Sequence, residues 1–135
     1  GAMVSCTVAG NSRKLGTLGA GGVSLIGGVI TNCVIYGNTG NLTNNYTGLA
    51  SAAWYSSAPE LTAGVQGNRT DNPTFMDLSK GDCRLRPGSP CINVGTNLPG
   101  VVSDVDLAGR PRLISGVVDM GAYEMPGAGT VCVVR

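Results

Sequence analysis

The stretch VITNCVIYGN, residues 29–38, determines the predicted fold. A related stretch, VSCTVAGN, occupies residues 4–11. The two stretches share three residue types in the same order, each pair 27 positions apart: Cys6 and Cys33, Gly10 and Gly37, and Asn11 and Asn38. Three matched positions at one spacing indicate a structural repeat.

Alternating residue character within both copies indicates that they are β-strands. Because the copies run in the same direction, and the glycine-rich segment between them has no helical pattern, we expect them to pair in parallel. The predicted fold class is all-β: a right-handed parallel β-helix of a few coils with an irregular C-terminal cap. We predict that Val4, Cys6 and Val8 face inward beneath Thr31, Cys33 and Ile35, and that Asn32, Val34 and Tyr36 face outward.

A chain of 135 residues is expected to form one domain. Residues 1–3 are interpreted as an expression scar and left out of the fold. Residues 4–70 are predicted to form the β-helix coils, with further short strands at residues 22–26 and 51–57. Residues 71–135 are predicted to form the terminal coil and the irregular cap, because they hold most of the charged residues and prolines, and a repeat stack needs a polar end.

The composition excludes several classes of function. A formal net charge of +1 provides no strong field for attracting nucleic acid, and no apolar run is long enough for insertion across a membrane. The absence of histidine removes Ser-His-Asp and Cys-His nucleophiles and histidine-ligated metals. The five cysteines lack C-x-x-C spacing, which argues against a zinc site. Their pairing stays open, and Cys6 and Cys33 are interpreted as small core residues.

Five segments in the second half of the chain together resemble a known group of proteins: DNPTFMD at 71–77, GDCRL at 81–85, PGSPCINVG at 87–95, DVDLAGRPR at 104–112 and VDMGAYE at 118–124. They are similar to the C-terminal end of bacterial secreted or surface proteins of the pectate-lyase-like parallel β-helix superfamily. The most similar subset is the choice-of-anchor Q domain proteins, with repeats related to polymorphic outer-membrane proteins. The resemblance implies a β-helix fold and an extracellular or cell-surface location, and it leaves the activity open.

Two functional hypotheses follow. In the first, the chain is a non-catalytic C-terminal β-helix segment of an extracellular or cell-surface protein, serving structural capping, display or adhesion. In the alternative, it is the terminal part of a polysaccharide-degrading lyase or glycosidase whose active site lies on other coils. The predicted strands contain no Asp, Glu, Lys or Arg, whereas glycosidases need paired carboxylates. We therefore assign no catalytic residues and expect no active site complete within these residues.

Acidic and basic residues near the C-terminus allow two interpretations. Asp104 and Asp106, in the pattern D-x-D-x-x-G, are candidate calcium ligands, because two hard oxygens can face one ion. No other cofactor is predicted. Alternatively, these acids form ion pairs, since arginine suits partly buried carboxylates. We expect a structural, charge-assisted contact of Arg112 with one of four acids: Asp104, Asp106, Asp119 or Glu124.

Aromatic and amide side chains supply the remaining candidates. Trp54 and Tyr55 are adjacent, so period-two alternation predicts one ring inside and the other outside. An exposed ring can stack on a sugar, so a glycan or cell-surface partner is one interpretation. Packing beneath the following loop is the other. Asn11 and Asn38 are expected to form a hydrogen-bonded ladder between coils.

The first strand carries no charge or proline that protects an open sheet edge. Unpaired N–H and C=O groups are expected there, beside the apolar residues Val4, Cys6 and Val8. We therefore expect self-association through the N-terminal coil, most simply as a two-fold dimer.

Overall fold

The computed structural model describes residues 1–14 and 19–127. Its regular elements are short. The strands are β1 (Ala2–Val4), β2 (Thr7–Ala9), β3 (Val23–Ser24), β4 (Val29–Thr31), β5 (Val34–Tyr36), β6 (Tyr46–Thr47), β7 (Ala53–Trp54), β8 (Phe75–Asp77) and β9 (Asp82–Leu85). One helical turn, α1 (Pro99–Val102), and 3-10 turns at Ala50–Ala52, Val65–Gly67 and Leu78–Lys80 complete them. Among these residues, no helix has the length and apolar character needed to cross a membrane.

Three small parallel sheets organise residues 1–69. β1, β4 and β7 form one sheet, β2 and β5 a second, and β3 and β6 a third. Met3 pairs with Ile30 at a spacing of 27 positions, and Ile30 pairs with Ala53 at a spacing of 23. The chain therefore meets the sheets in the same order on successive circuits. We call residues 1–28 the first circuit, 29–52 the second and 53–69 the third. The described part of the chain is thus mostly β, without a closed barrel.

An apolar core lies between these sheets. Ile30, Cys33 and Ile35 of the second circuit are fully buried in it. The same cluster includes residues from every circuit: Val23, Tyr46, Ala53, Ala58 and Leu61, with Met3, Cys6, Val8 and Leu25 partly buried against it. The prediction that Cys6 and Cys33 are small core residues is confirmed, and the four described cysteines are unpaired. Cys132 lies outside the described residues.

The predicted side-chain alternation is wrong at Asn32. Residues 29–36 form two strands rather than one, because Asn32 has a left-handed backbone (φ 54°) between β4 and β5. This corner shifts the alternation by one position, so Ile30 is fully buried in the core, whereas Thr31, predicted to face inward, is only partly buried. Ser5 (φ 50°) and Tyr55 (φ 46°) occupy the equivalent corners of the other circuits.

The last part of the third circuit, residues 58–69, folds over one end of the core. Ser57 bridges to Arg69, only 12 positions later, in parallel. Between them, Ala58 and Leu61 are buried in the core cluster. Residues 58–69 therefore cover this end of the core, where residues 71–135 were predicted to do so.

Residues 71–127, here called the flank, lie along the outside of the circuits instead. Val34, predicted to face outward, does leave the core, but it is fully buried beneath flank residues in a second cluster: Leu85, Cys91 and Met120. The flank reaches back as far as the first circuit, where Ala122 N–H donates to Thr7 Oγ1 at 2.9 Å. The apolar outer face of β5 explains this arrangement, because burying it against the flank removes it from water.

The first three residues take part in the fold. Ala2 and Met3 pair with β4, and Met3 packs against the core, although residues 1–3 were left out of the predicted fold. The carbonyl of Gly1 accepts a hydrogen bond from Val29 N–H at 3.1 Å. The first parallel sheet therefore begins two residues earlier than predicted.

The core assignment predicts that Ile35→Ala destabilises the protein by about 2–5 kcal/mol, because it leaves a cavity among packed side chains. Ile26 is the matched control, since its side chain is 101% exposed. Ile26→Ala should change the free energy of unfolding by no more than about 0.5 kcal/mol. Urea unfolding of both variants measures the difference, and equal losses would contradict the assignment.

Candidate functional site

A chain of polar side chains, the amide ladder, joins the circuits at one corner. It consists of Asn11, Asn38, Asn45 and Glu60. Asn11 donates from its backbone N and its Nδ2 to Asn38 Oδ1, at 2.9 and 3.0 Å. Asn38 N donates to Asn45 Oδ1 at 2.9 Å, and Asn45 N donates to Glu60 Oε1 at 2.8 Å. The backbone N–H of Asn11 therefore donates from the first circuit to the second, that of Asn38 donates within the second circuit, and that of Asn45 donates to the third.

Two glycines position the first pair of the ladder. Gly10 and Gly37 both have φ 70°, a left-handed conformation that glycine adopts without a steric penalty. The chain therefore turns in the same way after β2 and after β5, which brings Asn11 next to Asn38. The structure thus brings together the two asparagines that the 27-residue spacing singled out.

Two other buried asparagines were not predicted. Asn32 donates from Nδ2 to Thr96 O and accepts from Thr96 N at Oδ1, both at 2.8 Å, so its amide joins the second circuit to the flank. Asn68 accepts from Ser56 N at 3.0 Å and donates to Ala53 O at 2.8 Å. For Asn32, the signal in the sequence was a single amide in the middle of an apolar stretch.

Five charged side chains of the flank form what we call the carboxylate cluster: Asp106, Asp119, Glu124, Arg110 and Arg112. Arg112 Nη2 lies 3.3 Å from Glu124 Oε1, and both side chains are at most 3% exposed. The same guanidinium donates to the carbonyl of Asp119 at 3.2 Å. Arg110 lies 3.2 Å from Asp106. The structure therefore places Arg112 against Glu124, one of the four acids considered as partners.

Backbone N–H groups hold the carboxylates in place. Asp119 N donates to both oxygens of Glu124, at 2.9 and 3.1 Å, and Glu124 N donates to Asp106 Oδ2 at 2.9 Å. Asp119 in turn accepts from the backbone N of Asn93 at 2.7 Å and of Met125 at 2.5 Å. The cluster therefore fastens several distant parts of the flank to one another.

Burial raises the pKa of Glu124 from 4.5 to about 7, with the nearby charge of Asp119 acting in the same direction. The ion pair with Arg112 opposes this rise and is outweighed, because the desolvation of a buried carboxylate is the larger effect. Glu124 therefore takes up a proton on folding between about pH 4.5 and 7. Its contribution to the free energy of unfolding falls as the pH rises through that interval.

The neighbouring acids respond differently. Burial raises the pKa of Asp119 above its ordinary value, despite two backbone donors. Burial also acts to raise the pKa of Asp106, but N–H groups of Glu124, Arg110 and Ala108 outweigh it and the pKa is lowered. A carboxyl group that titrates near neutrality is typical of a general acid. Glu124, however, is only 2% exposed, and both of its oxygens accept hydrogen bonds within the flank, so the geometry supports a structural role.

Asp104 and Asp106, the candidate calcium ligands, lie in different surroundings. The Asp106 side chain is fully buried. Its Oδ1 accepts from Ala108 N and Arg110 N, both at 2.8 Å, and its Oδ2 accepts from Glu124 N and Arg110 Nε. Asp104 is exposed and accepts from Val105 N at 2.8 Å. A calcium ion has to displace donors from Asp106 to bind both residues, and the calcium site stays a prediction.

The aromatic pair is exposed. Trp54 is 44% and Tyr55 36% exposed, although alternation predicted one ring inside and one outside. The left-handed backbone of Tyr55 explains the difference, because it interrupts the alternation after β7. The Tyr55 ring rests on Gly67, where a Cβ would lie only 2.6 Å from Tyr55 Cδ1. Trp54 is therefore the more accessible ring for stacking on a sugar.

A cavity of about 550 Å³ lies between the first circuit and the flank. Its walls include apolar residues from both parts: Val4, Val101, Val105 and Leu107. Ser5 and Arg112 also line it, and Ser5 Oγ and Arg112 Nε are buried without a hydrogen-bond partner among the described residues. The cavity therefore combines apolar walls with two polar atoms that have no partner among the described residues.

No known protein family matches this sequence, and neither the curated proteins nor the solved structures provide a match to the chain. The interpretation of the site therefore depends on its own geometry.

The Arg112–Glu124 pair predicts a pH-dependent mutational effect. Arg112→Ala should cost on the order of 3 kcal/mol at pH 8, because it leaves a buried carboxylate without its partner. At pH 5 the loss should be smaller, since Glu124, with a pKa of about 7, is then protonated. Chemical denaturation at both pH values measures the two losses.

Arg84→Ala is the matched control, because Arg84 pairs with Asp82 at the surface. Exposed ion pairs contribute little to the free energy of unfolding, because solvent screens the two charges. A loss for Arg112→Ala that matches the control, or that does not change with pH, would contradict the assigned pairing.

Proposed function

We propose that the chain is a non-catalytic segment of a right-handed parallel β-helix in an extracellular or cell-surface protein, where it serves capping, display or adhesion. The repeated order of three parallel sheets supports the β-helix. Right-handedness is the expectation for this topology, because parallel strands of one sheet are joined by right-handed connections in about 98% of cases.

The absence of charged side chains on the sheets carries the non-catalytic assignment. Strands β1 to β7 contain no Asp, Glu, Lys or Arg. Lyase and glycosidase reactions on polysaccharides need such groups beside the substrate. The buried acids Asp106, Asp119 and Glu124 belong to the flank, and their oxygens accept hydrogen bonds there.

The proposed location and relationship rest on the resemblance of the flank to secreted and surface β-helix proteins. The contacts of the flank support that relationship, because the segments of the resemblance bind one another. Ser89 Oγ donates to Pro73 O at 2.6 Å, which joins the first and third of these segments. Asn93 N donates to Asp119 at 2.7 Å, which joins the third and the last.

A glycan or another cell-surface molecule is the proposed partner, and Trp54 supports it. Its ring is 44% exposed and lies in β7, at the edge of the first sheet in the described chain. An exposed indole provides a large apolar face that stacks on a sugar ring. Loss of glycan binding in Trp54→Ala, compared with wild type on the same glycan array, tests this partner.

The capping role predicts that Leu61→Arg increases self-association. Leu61 is 7% exposed and closes the core beside the third circuit, so a charge there displaces residues 58–69 and opens a strand edge. Leu49→Arg is the matched control, since Leu49 is 74% exposed. Light scattering across a dilution series compares both variants with wild type. Equal association in the two variants would rule out a capping role for this segment.

An activity screen tests the non-catalytic assignment directly. Incubation with pectin, alginate and host glycans should release neither unsaturated products nor new reducing ends. Turnover that scales with protein concentration would overturn the assignment. It would favour the alternative that the chain belongs to a polysaccharide-degrading enzyme.

A further inference from the structure

The first circuit and the second circuit differ in how well their equivalent core residues are covered. Ile30, Cys33 and Ile35 are fully buried, whereas their partners one circuit earlier, Met3, Cys6 and Val8, are only partly buried. Ser5 Oγ is also buried at this end, without a hydrogen-bond partner in the described part of the chain. Among the described residues, no strand pairs with the outer edges of β1 and β2.

The pairing geometry shows which backbone groups lie at that edge. Val29 N donates to Gly1 O, and Val34 N donates to Cys6 O. Along a parallel strand, alternate residues direct both their N–H and C=O groups to the same neighbour. The intervening residues therefore direct their groups away from the second circuit: Ala2 and Val4 in β1, and Thr7 and Ala9 in β2.

The amide ladder determines whether a hydrogen-bond donor or an acceptor lies at this edge. Its backbone N–H groups fix its polarity independently of how the amide side chains are oriented, because a backbone N–H can only donate. Asn11 N donates to Asn38 of the second circuit, Asn38 N donates to Asn45 within that circuit, and Asn45 N donates to Glu60 of the third circuit, where the ladder ends. The ladder therefore presents the side-chain oxygen of Asn11 as its acceptor at the open edge.

We propose that this edge binds one further parallel β-strand, and that the strand carries an asparagine whose backbone N–H and side-chain amide both donate to Asn11 Oδ1. The strand pairs with the first circuit in the same way as the first circuit pairs with the second. Its apolar residues cover Met3, Cys6 and Val8, and its backbone pairs with the outward groups of β1 and β2.

The ladder polarity makes a two-fold dimer the less favourable occupant. Two copies that meet head to head at this corner cannot repeat the contact between Asn11 and Asn38, because the backbone N–H of each Asn11 already donates to Asn38 Oδ1. A parallel strand supplies the donors that the ladder lacks, and it continues the pairing already present between the first and second circuits.

A synthetic peptide that copies residues 2–12, with Cys6→Ser to prevent disulfide exchange, is the direct probe. Hydrogen exchange followed by NMR on the intact chain should show the Ala2, Val4, Thr7 and Ala9 amides protected when the peptide is added. Two altered peptides are the controls: one with Asn11→Ala, and one with an N-methylated Asn11 backbone. Each should bind at least about tenfold more weakly, which corresponds to about one hydrogen bond.

Two variants of the protein distinguish the loss of the Asn11 acceptor from a loss of the folded structure. Asn11→Asp keeps an oxygen acceptor at the edge and should retain binding, whereas Asn11→Ala removes it and should lose about tenfold in affinity. The Ile35 amide reports on the core, and its exchange should stay slow in both variants.

Three outcomes would overturn the proposal. The first is an absence of protection at about 1 mM peptide, which corresponds to a binding free energy weaker than about −4 kcal/mol. The second is equal binding by the unmodified and the two altered peptides. The third is protection of the four amides that grows with protein concentration alone, together with a mass of two chains, which would identify the two-fold dimer as the occupant.

Discussion

Parallel backbone pairing between circuits is the constraint on which the rest of the structure depends. A register shift of one residue moves every core side chain to the other face, so the pairing has to be kept from circuit to circuit. The spacing nevertheless changes from 27 to 23 positions. The change falls between two bridges, Ser12–Thr39 and Ala20–Thr43, which lie in the connection rather than in a core strand. The connection absorbs the difference in length, and the strands keep their register.

The left-handed corners explain why the repeat could be predicted from the sequence while its side-chain orientation could not. Matched residues at one spacing establish the repeat and the direction of its strands. They do not show that Asn32 leaves the β conformation, since asparagine is common in loops and also occurs in strands. A left-handed non-glycine residue is strained, and Asn32 offsets part of that cost by binding Thr96 through both ends of its amide.

The position of the flank could not be predicted from charge and proline content alone. Those features predict that residues 71–135 are irregular, but they do not predict which surface the segment covers. The informative feature was the outer face of β5, where Val34 and Tyr36 are apolar. A strand that is apolar on both faces is covered on both faces. Similarly, the spacing identified Asn11 and Asn38, but it gave no indication of Asn45 and Glu60, which do not follow the repeat.

The circuits and the flank are each stabilised by a different kind of interaction. The circuits depend on an apolar core without charged side chains, whereas the flank depends on acids whose pKa values burial has raised, Asp119 and Glu124. Neutral hydrogen bonds join the two halves, among them Gly121 N to Asn32 O at 2.7 Å and Ala122 N to Thr7 Oγ1. These donors lie between Asp119 and Glu124 in the chain. A change in the charge of Glu124 therefore acts first within the flank. The flank contacts the circuits through this short segment, through the hydrogen bonds between Asn32 and Thr96, and through the packing of Val34.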